Sequence, residues 1–226
     1  MKKLLFWMVL IVGIVALIGS CAKKDDTTAA TAAADNTTST DNTTSTTSYI
    51  STTTTASGSI TMGDDTLSGV YASECLTSAS TIAFFKATGF WASEVNAYGQ
   101  VFVVTGSDNI SIELYAFTDT SCSNLSQCQK TVSDNVTFGS ASGSNYPVTY
   151  NNQTQALTVH TTAAETALET LYSNALDFIV GTPIELPVSG SGLRYGLWTL
   201  SGTTWYEASS SSATPTSAGT VPHVKQ

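Results

Sequence analysis

The chain has 226 residues, of which only 11% are charged, with 8 basic against 17 acidic residues and a formal net charge of −9. Contacts to phosphate need clustered Lys and Arg, so this composition excludes a nucleic-acid partner. Once a leader and a polar tract are set aside, the remainder is the length of one domain.

The first element in chain order is "MKKLLFWMVLIVGIVALIGSC". Lys2 and Lys3 precede an uncharged run, Leu4 to Ile18. That run is about 15 residues, within the range of a signal-peptide core and short of the ~20 needed to span a bilayer. Its end, Ile18-Gly19-Ser20-Cys21, resembles the lipobox of bacterial lipoproteins. The resemblance implies diacylglycerol on the Cys21 sulfur, cleavage before Cys21 and acylation of the new amine. Residues 1–20 are then a signal peptide, and the membrane is a partner through acyl chains on Cys21. Two or three chains anchor stably where one does not. Ala22 stands where enterobacterial lipoproteins retained at the inner membrane carry Asp, which points to the outer membrane. Loss of Lys2 and Lys3 leaves 6 basic against 17 acidic residues, a net charge of −11. Anionic lipid repels such a surface, leaving attachment to the acyl chains.

Residues 21–59 follow as a tract of Thr, Ser, Ala, Asn and Asp, in which "DNTTST" occurs twice. Its bulky apolar residues are Tyr49 and Ile50. Such a tract buries too little apolar surface to offset chain entropy and is expected to be a disordered tether.

Residues 60–226 read as mainly β. "GVYASEC" (Gly69–Cys75) predicts a first strand. "GQVFVVTG" (Gly99–Gly106) and "NISIELYAFTD" (Asn109–Asp119) predict a hairpin about Ser107-Asp108. In its second strand Ile110, Ile112, Leu114 and Ala116 share one face, while Ser111, Glu113, Tyr115 and Phe117 share the other, so neither face is simply polar. Thr131–Gly139 predicts a further strand, Tyr146–His160 a hairpin turning at Asn151-Asn152, and Gly192–Ser209 another with Ser201-Gly202 as its tight turn. Thr162–Leu176 differs. Thr162 with Glu165 makes a capping box, and Ala164, Leu168, Leu171, Tyr172 and Ala175 recur on one face, which predicts the single helix.

With Cys21 assigned to lipid, Cys75, Cys122 and Cys128 permit three single disulfides in an oxidising compartment. Cys122–Cys128 closes a small loop and Cys75–Cys122 a long one. "LSGVYASEC", "ELYAFTDTSC" and "LWTLSGTTWYEASSSSATPTS" together resemble a group of bacterial lipoproteins with small lipocalin-like barrels. The positions that carry the likeness are Gly69, Tyr71, Cys75, Tyr115, Asp119, Cys122, Ser201, Gly202, Pro215 and Thr216. The resemblance implies an antiparallel lipocalin-like β-barrel and a Cys75–Cys122 disulfide, with Cys128 as an extra cysteine. A β-sandwich is the alternative architecture.

No catalytic constellation is present, so the chain is expected not to be an enzyme. "GSASG" (Gly139–Gly143) places Ala141 where a hydrolase elbow needs Ser. Ser107–Asn109 and Ser133–Asn135 spell SDN without a Ser-x-x-Lys partner. His160 and His223 lack metal-ligand spacing, so neither a metal nor a cofactor is expected. Aromatic residues are the remaining signal: Trp91, Phe102, Tyr115, Phe117, Phe138, Tyr195, Trp198, Trp205 and Tyr206 lie on or near predicted strands. A filled core is the simpler account of them. A calyx for one small apolar ligand is the alternative that an eight-stranded barrel permits. Tyr115, Trp198 and Arg194, the one Arg of the chain, are the candidate ligand contacts, although a plain surface role suits Arg194 as well. The chain thus reads as a lipid-anchored, non-catalytic envelope protein. It either binds a small apolar ligand or meets another envelope protein through its surface.

Overall fold

The computed structural model describes residues 48–188 and 190–226. The leader, Cys21 and most of the expected tether lie outside them. The elements in chain order begin with β1 (Ile60–Met62), β2 (Asp65–Leu67) and β3 (Val70–Ala72), then a helix α1 (Ala79–Ala87). Next come β4 (Ala97–Val104), β5 (Ile110–Phe117), β6 (Leu125–Phe138), β7 (Asn145–Val159) and a helix α2 (Thr162–Leu171). The chain finishes with β8 (Pro183–Leu186), β9 (Leu193–Ser201), β10 (Thr204–Ser210) and β11 (His223–Lys225).

Eight antiparallel strands close on themselves. Their order is β6-β5-β4-β3-β11-β10-β9-β7, and β6 pairs again with β7. The expected barrel is therefore present, and the sandwich is not. β8 lies outside the ring of eight and continues the edge of β7 beyond β9. The first half of β7 pairs with β9, Asn145 opposite Thr199 to Asn151 opposite Leu193, and Gln155–Thr158 pairs with β8.

This change of partner corrects one expectation. Asn151 and Asn152 do not turn a hairpin; they lie inside the 15-residue strand β7. They sit where β7 exchanges β9 for β8 and where β6 carries register shifts between Val132 and Ser133 and between Asp134 and Thr137. Turn-forming residues here accommodate a bend in a long strand. The β9–β10 hairpin is as expected, shifted by one residue. Ser201 pairs with Thr204, so Gly202-Thr203 forms the loop, with Gly202 at φ +62°.

The helical expectation also needs three corrections. The cap of α2 is Thr161, one residue earlier, whose Oγ1 accepts from the Ala164 backbone N–H at 3.1 Å. The helix stops at Leu171 because Ser173 and Asn174 adopt positive φ. It is not the single helix, for α1 precedes it, capped by Ser78 and burying Ile82. The α1 sequence, "ASTIAFFKA", is too uniformly apolar to show a helical period.

Side-chain alternation along β5 explains its two apolar faces. Ile110, Ile112, Leu114 and Ala116 share one face, as predicted, and that face is the interior one, within the main core. Val101, Val103, Tyr115, Phe117 and Cys128 form a second cluster on the outer face, joined by Ile50. Ser48–Ser59, read in the sequence as the end of the tether, runs across this outer face as a strap. The Ile50 N–H donates to the Ser73 carbonyl at 3.1 Å and the Ser57 N–H to the Val104 carbonyl at 2.9 Å. Gly99 makes room for it, since a Cβ there would stand 2.2 Å from Ile50 Cγ1. Tyr49 and Ile50 are thus not stray apolar residues in a polar tract.

Both barrel ends are stoppered. The β1–β2 hairpin buries Ile60, Met62 and Leu67 beside the end marked by Gly69 and Val104, whose backbones are hydrogen-bonded. At the other end α2 packs on β6 and β7, with Ala164 and Leu168 fully buried. Cys75 and Cys122 are joined, Cα–Cα 5.8 Å, as the resemblance implies. No helix among the described residues is long and apolar enough to cross a membrane.

Candidate functional site

Pairing register orders the interior into layers, because residues directly opposite on antiparallel strands point to the same side. At the helix end, Tyr98, Ala116, Gln127 and Val159 form one layer. Next come Gln100, Leu114, Gln129 and Leu157, then Phe102, Ile112, Thr131 and Gln155, then Val104, Ile110, Ser133 and Asn152. β4 and β5 therefore supply a mostly apolar wall. β6 supplies Gln127, Gln129, Thr131 and Ser133, a polar stripe inside a barrel, and these side chains are at most 1% exposed.

Most of this stripe is unsatisfied. Ser133 donates to Asn152 Oδ1 at 2.9 Å. Both amide atoms of Gln127, both of Gln129, Thr131 Oγ1 and Asn152 Nδ2 are buried without a hydrogen-bond partner. So are the indole N–H groups of Trp91, Trp198 and Trp205. Each such group costs about 1–3 kcal/mol relative to a partnered one. Leu or Val at these inward positions would be more stable, so the stripe is the most conspicuous feature of the interior.

The opposite wall is aromatic. Trp205 packs against Tyr71, Phe102 and Trp198 at centroid distances of 5.4, 4.5 and 4.6 Å. His223 lies edge-on to Phe102, with Nδ1 3.3 Å from the Trp205 carbonyl and Nε2 3.2 Å from Gln100 Oε1. Burial pulls its imidazole down to about 4, against the Trp205 hydrogen bond, which raises it. Beyond Trp198, burial holds the Tyr150 phenol above its ordinary range, helped by the Glu207 charge and opposed by Ser209 and Arg194. Glu207 is half-buried, and desolvation pushes its carboxyl up to about 7, against a hydrogen bond from Ser209.

The three sequence-predicted contacts do not converge. Trp198 is in the interior, fully buried. Arg194 is also inward-facing, opposite Tyr150 and 6% exposed, so it has no plain surface role. Tyr115 is outside the barrel, under the strap, and its hydroxyl donates to Glu113 Oε2 at 2.5 Å. Burial first, then the Glu113 charge, raises the Tyr115 phenol above its ordinary value. Glu113 also accepts from Thr52 and Thr54 of the strap and pairs with Lys130 Nζ at 3.5 Å. A cleft of about 820 Å³ opens beside it, lined by Ile50, Thr52, Tyr115, Phe117, Asn124 and His160. A smaller groove, about 530 Å³, runs between α1 and α2 with Trp91, Gly89, Thr162 and Thr166 in its walls.

Sequence reasoning missed Gln127 and Gln129. "SQCQK" lacks the β-branched and aromatic residues that mark a strand, so the segment before Thr131 shows no periodic signal. Among the described residues no group of three His, Cys, Asp or Glu side chains could hold a metal ion. No protein-family model matches the chain, and no curated protein matches it.

Proposed function

We propose that the protein is a lipid-anchored, non-catalytic cell-envelope protein whose barrel carries a small molecule. The observation that carries this reading is the buried, unpartnered polar stripe on β6 inside a closed barrel. A module selected only as a solid platform gains nothing from such groups, whereas a carrier uses them to orient an occupant. The lipobox-like Ile18–Cys21 supports the anchor and the outer-membrane location. The strap Ser48–Ser59 leads from that side of the chain directly onto the barrel wall, so the domain is held against its own tether. Polar lining departs from the wholly apolar ligand expected from sequence and favours a ligand with hydrogen-bonding groups.

Two measurements test the reading. Full-length protein made in a bacterium with intact lipoprotein processing incorporates labelled palmitate, and Cys21→Ala abolishes the label. Native mass spectrometry of the detergent-extracted chain shows an added small-molecule mass. Palmitate incorporation persisting in Cys21→Ala refutes the anchor, and a bare polypeptide mass refutes the carrier.

A second reading rests on Phe84, Ile179 and Val180, which are 42%, 54% and 44% exposed. Phe84 is on α1, and Ile179-Val180 precede Gly181, whose N–H bonds to the Val159 carbonyl, so these side chains belong to the helix end. An envelope protein docking there makes the chain an interaction module. Cross-linking in cells from a photoreactive residue at Phe84 checks it.

A further inference from the structure

The carrier reading leaves open what the barrel carries, and the following rests on that reading. We infer that the helix end of the barrel binds a small, uncharged, hydroxyl- and amide-bearing molecule of the N-acylated amino-sugar class, held by Gln127, Gln129 and Trp91. Each carboxamide presents one donor face and one acceptor face, and neither is used. The two amides, two residues apart on one strand, place two donor and two acceptor groups on the same inner face in adjacent layers. That pattern matches a ligand whose neighbouring groups both give and accept hydrogen bonds. Thr131 adds a buried hydroxyl one layer deeper.

Charge selects against an ionised occupant. The inward side chains of the first three layers on β4 to β7 include no acid or base. His223, beside Gln100, is held neutral by burial. A charged group placed there would lose its hydration without a counter-ion. A purely apolar occupant would leave the amides as unpartnered as they are without it.

Trp91 supplies the route. Its ring lies 5.5 Å from that of Tyr98, which shares the outermost layer with Gln127. The same Trp91 lines the groove between α1 and α2, and its indole N–H is buried and unpartnered. The stripe is sealed in this structure, so Trp91 is the side chain whose movement would admit a ligand from the groove to the two amides. Its ring face would then lie against the sugar, and its N–H would find an acceptor.

The test uses the full-length, detergent-extracted chain and two probes, N-acetylglucosamine and dodecanoate. Native mass spectrometry and the melting temperature are read for wild type, Gln127→Leu and Gln129→Leu. N-acetylglucosamine is expected to add its mass to wild type and raise its melting temperature, with dodecanoate silent. Each Leu variant is expected to fold and to bind N-acetylglucosamine about tenfold more weakly. Dodecanoate binding with N-acetylglucosamine silent overturns this inference and leaves the carrier reading standing. Neither probe binding, with the Leu variants melting above wild type, removes both, because the amides are then only a stability defect in a filled core. Equal N-acetylglucosamine binding by all three proteins moves the site away from β6 and overturns the assignment.

Discussion

Thr52 Oγ1 donates to Glu113 Oε2 at 2.5 Å, across 61 positions of sequence, and this contact fastens the strap to the barrel wall. Thr54, Ser111, Tyr115 and Lys130 complete the shell around the same carboxylate, which is 2% exposed. Glu113→Ala leaves a part-buried ammonium and four hydroxyls without this acceptor. The expected loss is about 3 kcal/mol, since breaking one side of a buried pair strands the other. Hydrogen exchange at the Ile50 and Ser57 amides should accelerate before that of β4. Unchanged protection at both amides would show that apolar contact alone holds the strap.

The Cys75–Cys122 bond links positions 47 apart, tying the exit of β3 to the turn before β6. A loop of that length restricts the unfolded chain by about 4 kcal/mol on the chain-entropy model. Peptide mapping without reductant is expected to find these two cysteines in one fragment. Cys75→Ser together with Cys122→Ser should lower the melting temperature. A map joining Cys122 to Cys128 would refute the pairing.

Three substitutions in and before α2 have a definite rank. Leu168 is fully buried, so Leu168→Ala should cost about 2–5 kcal/mol. Thr161→Ala removes the cap and should cost about 1 kcal/mol. Thr162→Ala, the cap expected from sequence, should cost less than either. Chemical denaturation orders them, and a larger effect at Thr162 than at Thr161 would return the cap to the sequence-predicted residue.

Stability should depend on pH through two opposed groups. His223 is held at about 4 when folded, against 6.5 for the free side chain. The unfolded chain binds the extra proton between these values, so this group makes stability rise with pH from 4 to 6.5. Its full effect is on the order of 3 kcal/mol. Glu207 is raised to about 7 from 4.5, so its contribution is fully present below 4.5 and is lost as pH rises toward 7. Solvent screens the half-buried carboxyl, and its effect is the smaller. Wild type should therefore show a shallow rise, and Glu207→Gln a steeper one, in denaturation midpoints taken from pH 4 to 7. A midpoint in Glu207→Gln that falls over this range would exclude the buried neutral His223.

Local chemistry made much of this protein legible in its sequence. Alternation along Ile110–Phe117 marks a strand with two apolar faces, the Gly202 region marks a hairpin, and the Ala164–Leu168 spacing marks a helix. These signals depend on neighbours within a few residues, and the structure retains them, with shifts of one position at the hairpin turn and the helix cap and of five at the helix end. What covers each face is another matter. Nothing near Tyr115 in sequence says that Ile50 and Thr52 lie over it, and nothing near Gln127 and Gln129 says that these amides point inward. Nor does "YNNQ" say that the chain runs straight on instead of turning. Those outcomes depend on closure of the sheet, in which β6 meets both β5 and β7 and the pairing register assigns every alternate residue to the interior. Period-two alternation defines two faces of a strand, and only barrel closure decides which of them is inside.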